Sequence, residues 1–209
     1  VIKAIIKAVL ILLVLPFVLN AQAVLRNDLL KLEAQKRIEQ MGQELQEKTG
    51  VSLYLIATNE HFKERYNLVA HAKQYEANMS KPYVLFIFAP YATITQKSEA
   101  KGRVGIIPSS DEIKSYYDAD AVRDATINII AVKDSNTDED KFNVGVLQGY
   151  SELADEIATS KGVMLKSIIP DDIGVIVTIL RVLVYSGTLI LLWIFVLKPA
   201  YRRIKNDKH

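Results

Sequence analysis

The apolar run Ile173 to Leu197, IGVIVTILRVLVYSGTLILLWIFVL, constrains this chain more than any other stretch. It is long enough to cross a hydrocarbon core of about 30 Å as one helix. Asp171 and Asp172 precede it, and Lys198, Arg202, Arg203, Lys205 and Lys208 follow. Short basic flanks stay on the cytoplasmic side, so the chain is predicted to enter from outside and end inside. Arg181 interrupts the run. A central Arg costs roughly 2.5 to 3.5 kcal/mol on insertion scales, against a gain of about 0.3 to 0.6 for each Leu, Ile, Val or Phe, so the segment still inserts. An ionisable residue inside a membrane faces a bundle interior, water or a counter-charge, which makes Arg181 a candidate partner contact; a long side chain that bends back to the interface as an anchor is the alternative. Ser186 and Gly187 supply the small residues that let a second helix approach.

The amino terminus reinforces that topology. Lys3 and Lys7 precede the apolar run Ala8 to Leu19, and Asn20-Ala21-Gln22-Ala23 offers the small-x-small pattern of signal peptidase. Residues 1–23 are therefore expected to be a signal peptide cleaved after Ala23, or an uncleaved amino-terminal anchor. Both place residues 24–170 on the periplasmic side of the cytoplasmic membrane. The span then occupies 171–197 and a basic cytoplasmic tail 198–209.

The interval 24–170 is of ordinary single-domain size. The formal net charge is only +2, and the stretch beyond the span carries five basic residues against one acid, so the rest of the chain has no basic excess and no basic face suits a nucleic acid. With no cysteine in the chain, disulfides, thiolate nucleophiles and Cys-type zinc sites are excluded.

Within the domain, apolar residues at Leu29, Leu32, Ile38, Met41 and Leu45 predict a helix from Asn27 or Asp28 to Gly50. VSLYLIAT, Val51 to Thr58, reads as a buried strand. Phe62, Tyr66, Val69, Ala72 and Tyr75 predict a second amphipathic helix over about Glu60 to Met79. YVLFIFA, Tyr83 to Ala89, reads as a central strand covered on both faces. A short edge strand at Ala92 to Thr95 and another strand at Arg103 to Ile107 follow. Ser109 or Ser110 caps a helix Asp111 to Tyr117, and Asp118 or Asp120 caps one running to Val132. After an acidic loop Lys133 to Lys141, a last helix is expected from about Phe142 to Ala158.

This order of elements, with the helix ending in Thr49-Gly50, the two apolar strands, the Asp-rich helix start at Asp118 to Val122 and the opening Lys141-Phe142-Asn143-Val144-Gly145-Val146-Leu147-Gln148-Gly149 of the last helix, resembles the TPM domain over about Asp28 to Ala158. The resemblance implies an α/β fold: a three-layer α/β/α sandwich with a mixed sheet of about four strands, exported and tethered by a carboxy-terminal span. Members of that family have been tied to photosystem repair, acid phosphatase activity, calcium binding and accessory roles beside membrane receptors. Two family stretches differ here. The glycine-rich segment after the third strand is Gly105-Ile106-Ile107-Pro108-Ser109-Ser110-Asp111-Glu112, and the Asp-Asn-Gly type entry to the central strand is Ser80-Lys81-Pro82.

Two acidic strings carry what chemistry the sequence offers. Asp118-Ala-Asp120-Ala-Val122 has the D-x-D-x-[TV] form of aspartate-nucleophile phosphatases. That chemistry needs the pair at the end of a buried strand, whereas the preceding Lys114-Ser115-Tyr116-Tyr117 is polar and helix-like, so helix capping is the better reading. The family resemblance keeps weak divalent binding at Asp111, Glu112, Asp118 and Asp120 in view. Asp134, Asn136 and Asp138 repeat oxygen ligands as the first half of an EF-hand loop does, with Asp140 continuing the alternation. Glu139 then stands where that loop needs its turn glycine, and Gly145 where it needs its closing glutamate. A solvated acidic turn, binding Ca2+ weakly or not at all, is expected. His61 and His71 are too far round one predicted helix to share a metal, and no G-x-S-x-G elbow or H-E-x-x-H string occurs. The expected function is thus that of a membrane-tethered, non-catalytic accessory protein that binds or stabilises an integral membrane protein or complex. A divalent-dependent acid phosphatase is the alternative.

Overall fold

The computed structural model describes residues 22–97 and 100–169, together with Tyr185, Ser186, Thr188, Leu192, Trp193, Phe195 and Lys198. The chain divides into two units, Val1–Ile169 and Pro170–His209. In the second, the described positions are helical and Tyr185, Leu192, Trp193 and Phe195 expose their side chains. Among the described residues no helix is long and apolar enough to cross a membrane. Most of the run Ile173 to Leu197, with Arg181 and Gly187, lies outside them, as do residues 1–21.

In the first unit the elements run β1 (Val24–Asn27), α1 (Leu32–Thr49), β2 (Ser52–Ala57), α2 (Leu68–Ala72), a 3-10 turn (Lys73–Asn78), β3 (Tyr83–Thr95), β4 (Ala100–Pro108), α3 (Asp111–Lys114), α4 (Ala119–Ile130) and α5 (Asp138–Ser160). The sheet order is β1-β2-β3-β4. β1 and β2 are parallel, as are β2 and β3, and β4 runs antiparallel to β3, so the sheet is mixed. The two inner strands are the two apolar runs. All six residues of β2 are buried, and β3 is buried from Tyr83 to Pro90.

Alternation along these strands sorts the core into two clusters. Leu53, Leu55, Val84, Phe86 and Phe88 face Ile38, Met41 and Leu45 of α1 and Val146, Tyr150, Leu153 and Ile157 of α5, with Val122 of α4 beside them. Tyr54, Ile56, Leu85, Ile87 and Ala89 face the other way, onto Phe62, Leu68 and Ala72. Helices thus cover both faces, unequally: α1 and α5 on one, a five-residue helix and a 3-10 turn on the other.

Gly50 closes α1 in the left-handed region at φ 73°, its amide donating to the Gln46 carbonyl, as the sequence placed it. The α4–α5 crossing depends on two other glycines. A Cβ on Gly145 would lie 2.7 Å from Ile130 Cγ1 and 2.9 Å from the Thr126 carbonyl oxygen, and one on Gly149 would lie 1.8 Å from Thr126 Oγ1.

Several sequence expectations need correction. The predicted helix over Glu60 to Met79 is a loop, then α2, then the 3-10 turn. Phe62 and Leu68 still reach the core, but through irregular backbone, with Arg65 at φ 62°. The first helix begins at Leu32 because Asn27 Oδ1 accepts from the amides of Leu29 and Leu30 and holds a turn there. The expected edge strand at Ala92 to Thr95 is the far end of β3, continued past register shifts between Ala89 and Thr95. The fourth strand of the sheet is instead β1. Finally, α3 stops at Lys114, and α5 begins at Asp138 rather than Phe142, with Thr137 as its cap.

Candidate functional site

The two acidic strings lie at opposite ends of α4, a helix of 12 residues and hence about 18 Å at 1.5 Å per residue. They do not form one site. At the start of α4, Asp118 is the N-cap: its Oδ1 accepts from the amides of Asp120 at 2.9 Å and Ala121 at 3.3 Å. This is the geometry of a carboxylate serving the orphan donors of a helix. Asp120 is exposed and pairs with Arg123 at 2.6 Å. Neither carboxylate stands at the end of a strand, where an aspartate nucleophile is needed.

Asp111 and Glu112 open α3, whose cap is Ser110, its side chain accepting from the Ile113 amide. Glu112 Oε1 accepts from the Tyr116 hydroxyl at 2.5 Å, and that hydroxyl accepts from Lys161 Nζ at 2.8 Å. The ammonium also lies 4.1 Å from the Tyr116 ring centroid, a cation–π position. Beside this relay, Tyr116, Tyr117, Asp118, Asp155 and Glu156 line an open groove of about 440 Å³.

Glu156 belongs to no motif of the sequence. Its Oε2 accepts from the Asp118 amide at 2.6 Å. Burial pushes its carboxyl above the usual range, the Asp118 amide opposes that shift, and the charges of Glu152, Asp118 and Asp155 add to it. Burial also pushes the Tyr117 phenol up to about 12. The only signal in the sequence was the run of acids Glu152, Asp155 and Glu156 on the last helix.

At the other end, the loop before α5 is built by its own carboxylates. Asp134 Oδ1 accepts from the Asn136 amide at 3.0 Å and Oδ2 from the Asn136 side-chain nitrogen at 2.8 Å, while Lys141 Nζ lies 3.2 Å away. The Asn136 amide, then Lys141 and the Asn136 side chain, hold the Asp134 carboxyl below the usual range. Asp138 is exposed in the first turn of α5 and complements the helix dipole. Asp140 pairs with Lys31 at 2.6 Å and accepts from the Thr137 hydroxyl at 2.7 Å. Among the described residues, no three carboxylate or imidazole side chains converge on a point that could hold a metal ion.

His61 and His71 meet different neighbours. His61 stacks on Tyr91, whereas His71 is buried among Phe62, Tyr66 and Tyr75, and burial lowers its pKa.

A further polar cluster lies where the domain ends. Glu44, on α1, accepts from the amides of Lys166 and Ser167, both at 2.8 Å, from the Ser167 hydroxyl at 2.5 Å and from Lys48 at 2.7 Å. Burial raises its pKa, but Lys48, the Ser167 hydroxyl and the two amides outweigh it and bring the carboxyl down to about 2. Lys48 Nζ also donates to the Met164 carbonyl at 2.6 Å, Leu165 is buried, and the Ile169 amide donates to Ser151 Oγ at 2.8 Å. The segment after α5 is therefore fastened to the domain up to Ile169.

Against known proteins, no family model and no curated protein matches this chain.

Proposed function

We propose that the protein is a membrane-tethered, non-catalytic accessory factor whose domain, held on the periplasmic side of the cytoplasmic membrane, binds or steadies an integral membrane protein or complex. The observation that carries this reading is the fastening of residues 163–169 to α1 and α5 through Glu44, Lys48 and Ser151. Residues fastened in this way do not serve as a flexible tether, which suits a domain kept beside a membrane partner better than one that ranges for a diffusing substrate. The apolar run beyond Pro170 and its basic flank support the tether, and the signal-like start supports export. Arg181, with Ser186 and Gly187, is the proposed contact within the membrane.

The polar chemistry of the domain supports the same reading. Asp118 caps α4, Asp134 builds a turn, and Asp120 and Asp140 sit in ion pairs, so these carboxylates already serve the fold. The divalent-dependent phosphatase remains the rival, carried by Glu156, whose raised carboxyl lies beside the groove with Asp118 and Asp155.

Protease added to the periplasmic face of intact cells tests the arrangement. Degradation of the domain is expected; resistance there, with sensitivity from the cytoplasmic face, overturns it. In the native host, Arg181→Leu is expected to lower recovery of the complex more than Arg181→Lys. Unchanged recovery with Arg181→Leu removes Arg181 from the contact.

A further inference from the structure

The weakly covered face of the sheet ends at an open edge. β4 is the last strand, and among the described residues nothing pairs with its outer side. From Gly102 to Pro108 it is half-exposed, whereas its neighbour β3 is buried from Tyr83 to Pro90. The register fixes which backbone groups point outward. The Ser109 amide donates to the Tyr83 carbonyl at 2.8 Å. Antiparallel pairs alternate, so Leu85↔Ile107 and Ile87↔Gly105 also turn their polar groups toward each other, and Phe86↔Ile106 and Phe88↔Val104 turn theirs away. The amides and carbonyls of Val104 and Ile106 therefore face out, a template for an added strand.

Side chains give that template a sign. Beside the end of β4 is a groove of about 180 Å³ lined by Val69, Met79, Leu85 and Ile107, with Lys73 and Lys81 on its wall and Glu76 the one acid. Val69 is 53% exposed, an apolar contact open to an incoming side chain. At the start of the strand stand Lys101, exposed, and Arg103, whose guanidinium donates to the Tyr66 carbonyl at 2.6 Å. Basic groups thus flank both ends of the open edge.

We infer that β4 takes an acidic, extended segment of the partner protein as an added strand. Main-chain bonds at Val104 and Ile106 would supply the register, alternate apolar side chains would enter the groove at Val69 and Ile107, and carboxylates would meet Lys73, Lys81 and Lys101. This rests on the accessory-factor reading and names how the partner is held.

The test uses full-length protein in detergent and two fluorescein-labelled hexapeptides, Val-Glu-Val-Glu-Val-Glu and its lysine counterpart. The acidic peptide is expected to bind at low salt and to protect the Val104 and Ile106 amides from exchange, and the basic peptide is expected not to bind. Reversing the exposed lysines (Lys73→Glu, Lys81→Glu, Lys101→Glu) should weaken the acidic peptide about tenfold or more and admit the basic one. Ile106→Pro removes an outward amide, so it should abolish binding while circular dichroism stays native; if it unfolds the chain, the charge-reversal arm decides. Binding of the acidic peptide at equal strength to the reversed variant, binding of neither peptide, or a dimer that buries β4 against a second copy overturns the proposal. Recovery of a membrane complex with the reversed variant at the wild-type level rejects this edge and leaves the accessory reading standing. Recovery with neither form rejects the accessory reading, while the peptide arms still judge the edge.

Discussion

Replacing Glu44 isolates the fastening of the domain's exit. Its carboxylate accepts three hydrogen bonds from Lys166 and Ser167 and pairs with Lys48. A carboxyl held at about 2 instead of 4.5 corresponds to a preference of roughly 3 kcal/mol for the charged form, at about 1.4 kcal/mol per pKa unit. The side chain is 17% exposed at the domain surface, so screening by solvent brings the contribution to about 1–2 kcal/mol. Because the folded value lies below the unfolded one, this stability is present above pH 4.5 and is lost as pH falls through about 2. Glu44→Ala at pH 7 should therefore lower Tm by about 2–8 °C, at roughly 2–4 °C per kcal/mol for a domain of this size. Amide exchange at Lys166 and Ser167 should accelerate about tenfold or more while the strands β2 and β3 keep their protection. Glu44→Gln should lie between the two proteins at pH 7 and approach wild type at pH 2. Unchanged exchange at Lys166 and Ser167 in Glu44→Ala would refute the clamp, and so would a Tm difference that persists undiminished at pH 2.

Three further outcomes follow from the same structure. Gly145→Ala places a methyl 2.9 Å from the Thr126 carbonyl and 2.7 Å from Ile130, which should cost about 1–3 kcal/mol by denaturant unfolding as α4 is pushed off α5. Asp118→Ala removes the α4 cap and should cost about 1 kcal/mol in the same assay, with Asp118→Asn restoring most of it. Titration calorimetry with calcium should give no affinity tighter than about 0.1 mM, and Asp134→Asn should leave it unchanged, because both Asp134 oxygens are already bonded to Asn136; a submicromolar affinity lost on that substitution would reverse this.

The inner strands were legible because burial on both faces leaves a continuous apolar run, as in VSLYLIAT and YVLFIFA. The caps at Ser110 and Asp118 and the stop at Gly50 were legible because each solves a local backbone problem. β1 was not. Its four residues, VLRN, carry no alternation of their own, and they are a strand because Leu55 donates to the Ala23 carbonyl and Glu39 accepts from the amides of Ala23 and Val24. The false helix at Glu60 to Met79 arose because Phe62, Ala72 and Tyr75 do reach one core, whereas Tyr66 and Val69 of the same spacing are exposed, and helical spacing alone does not show that a loop delivers the first of them. The groove around Glu156 and the Glu44 clamp escaped the sequence for the same reason. Asp118 lies 38 positions from Glu156, and Ser167 lies 123 from Glu44, so only the folded chain brings them together.

The role proposed for the domain is to hold a membrane partner rather than to turn over a substrate. Affinity purification of the full-length protein from crosslinked native membranes tests it most directly. A stoichiometric integral membrane protein is predicted to accompany the full chain, to be depleted with Arg181→Leu, and to be recovered in lower yield, through β4 alone, when residues 22–169 are the bait. Purification free of any such companion, together with hydrolysis of an aryl phosphate that a chelator abolishes and Glu156→Gln removes, would contradict it.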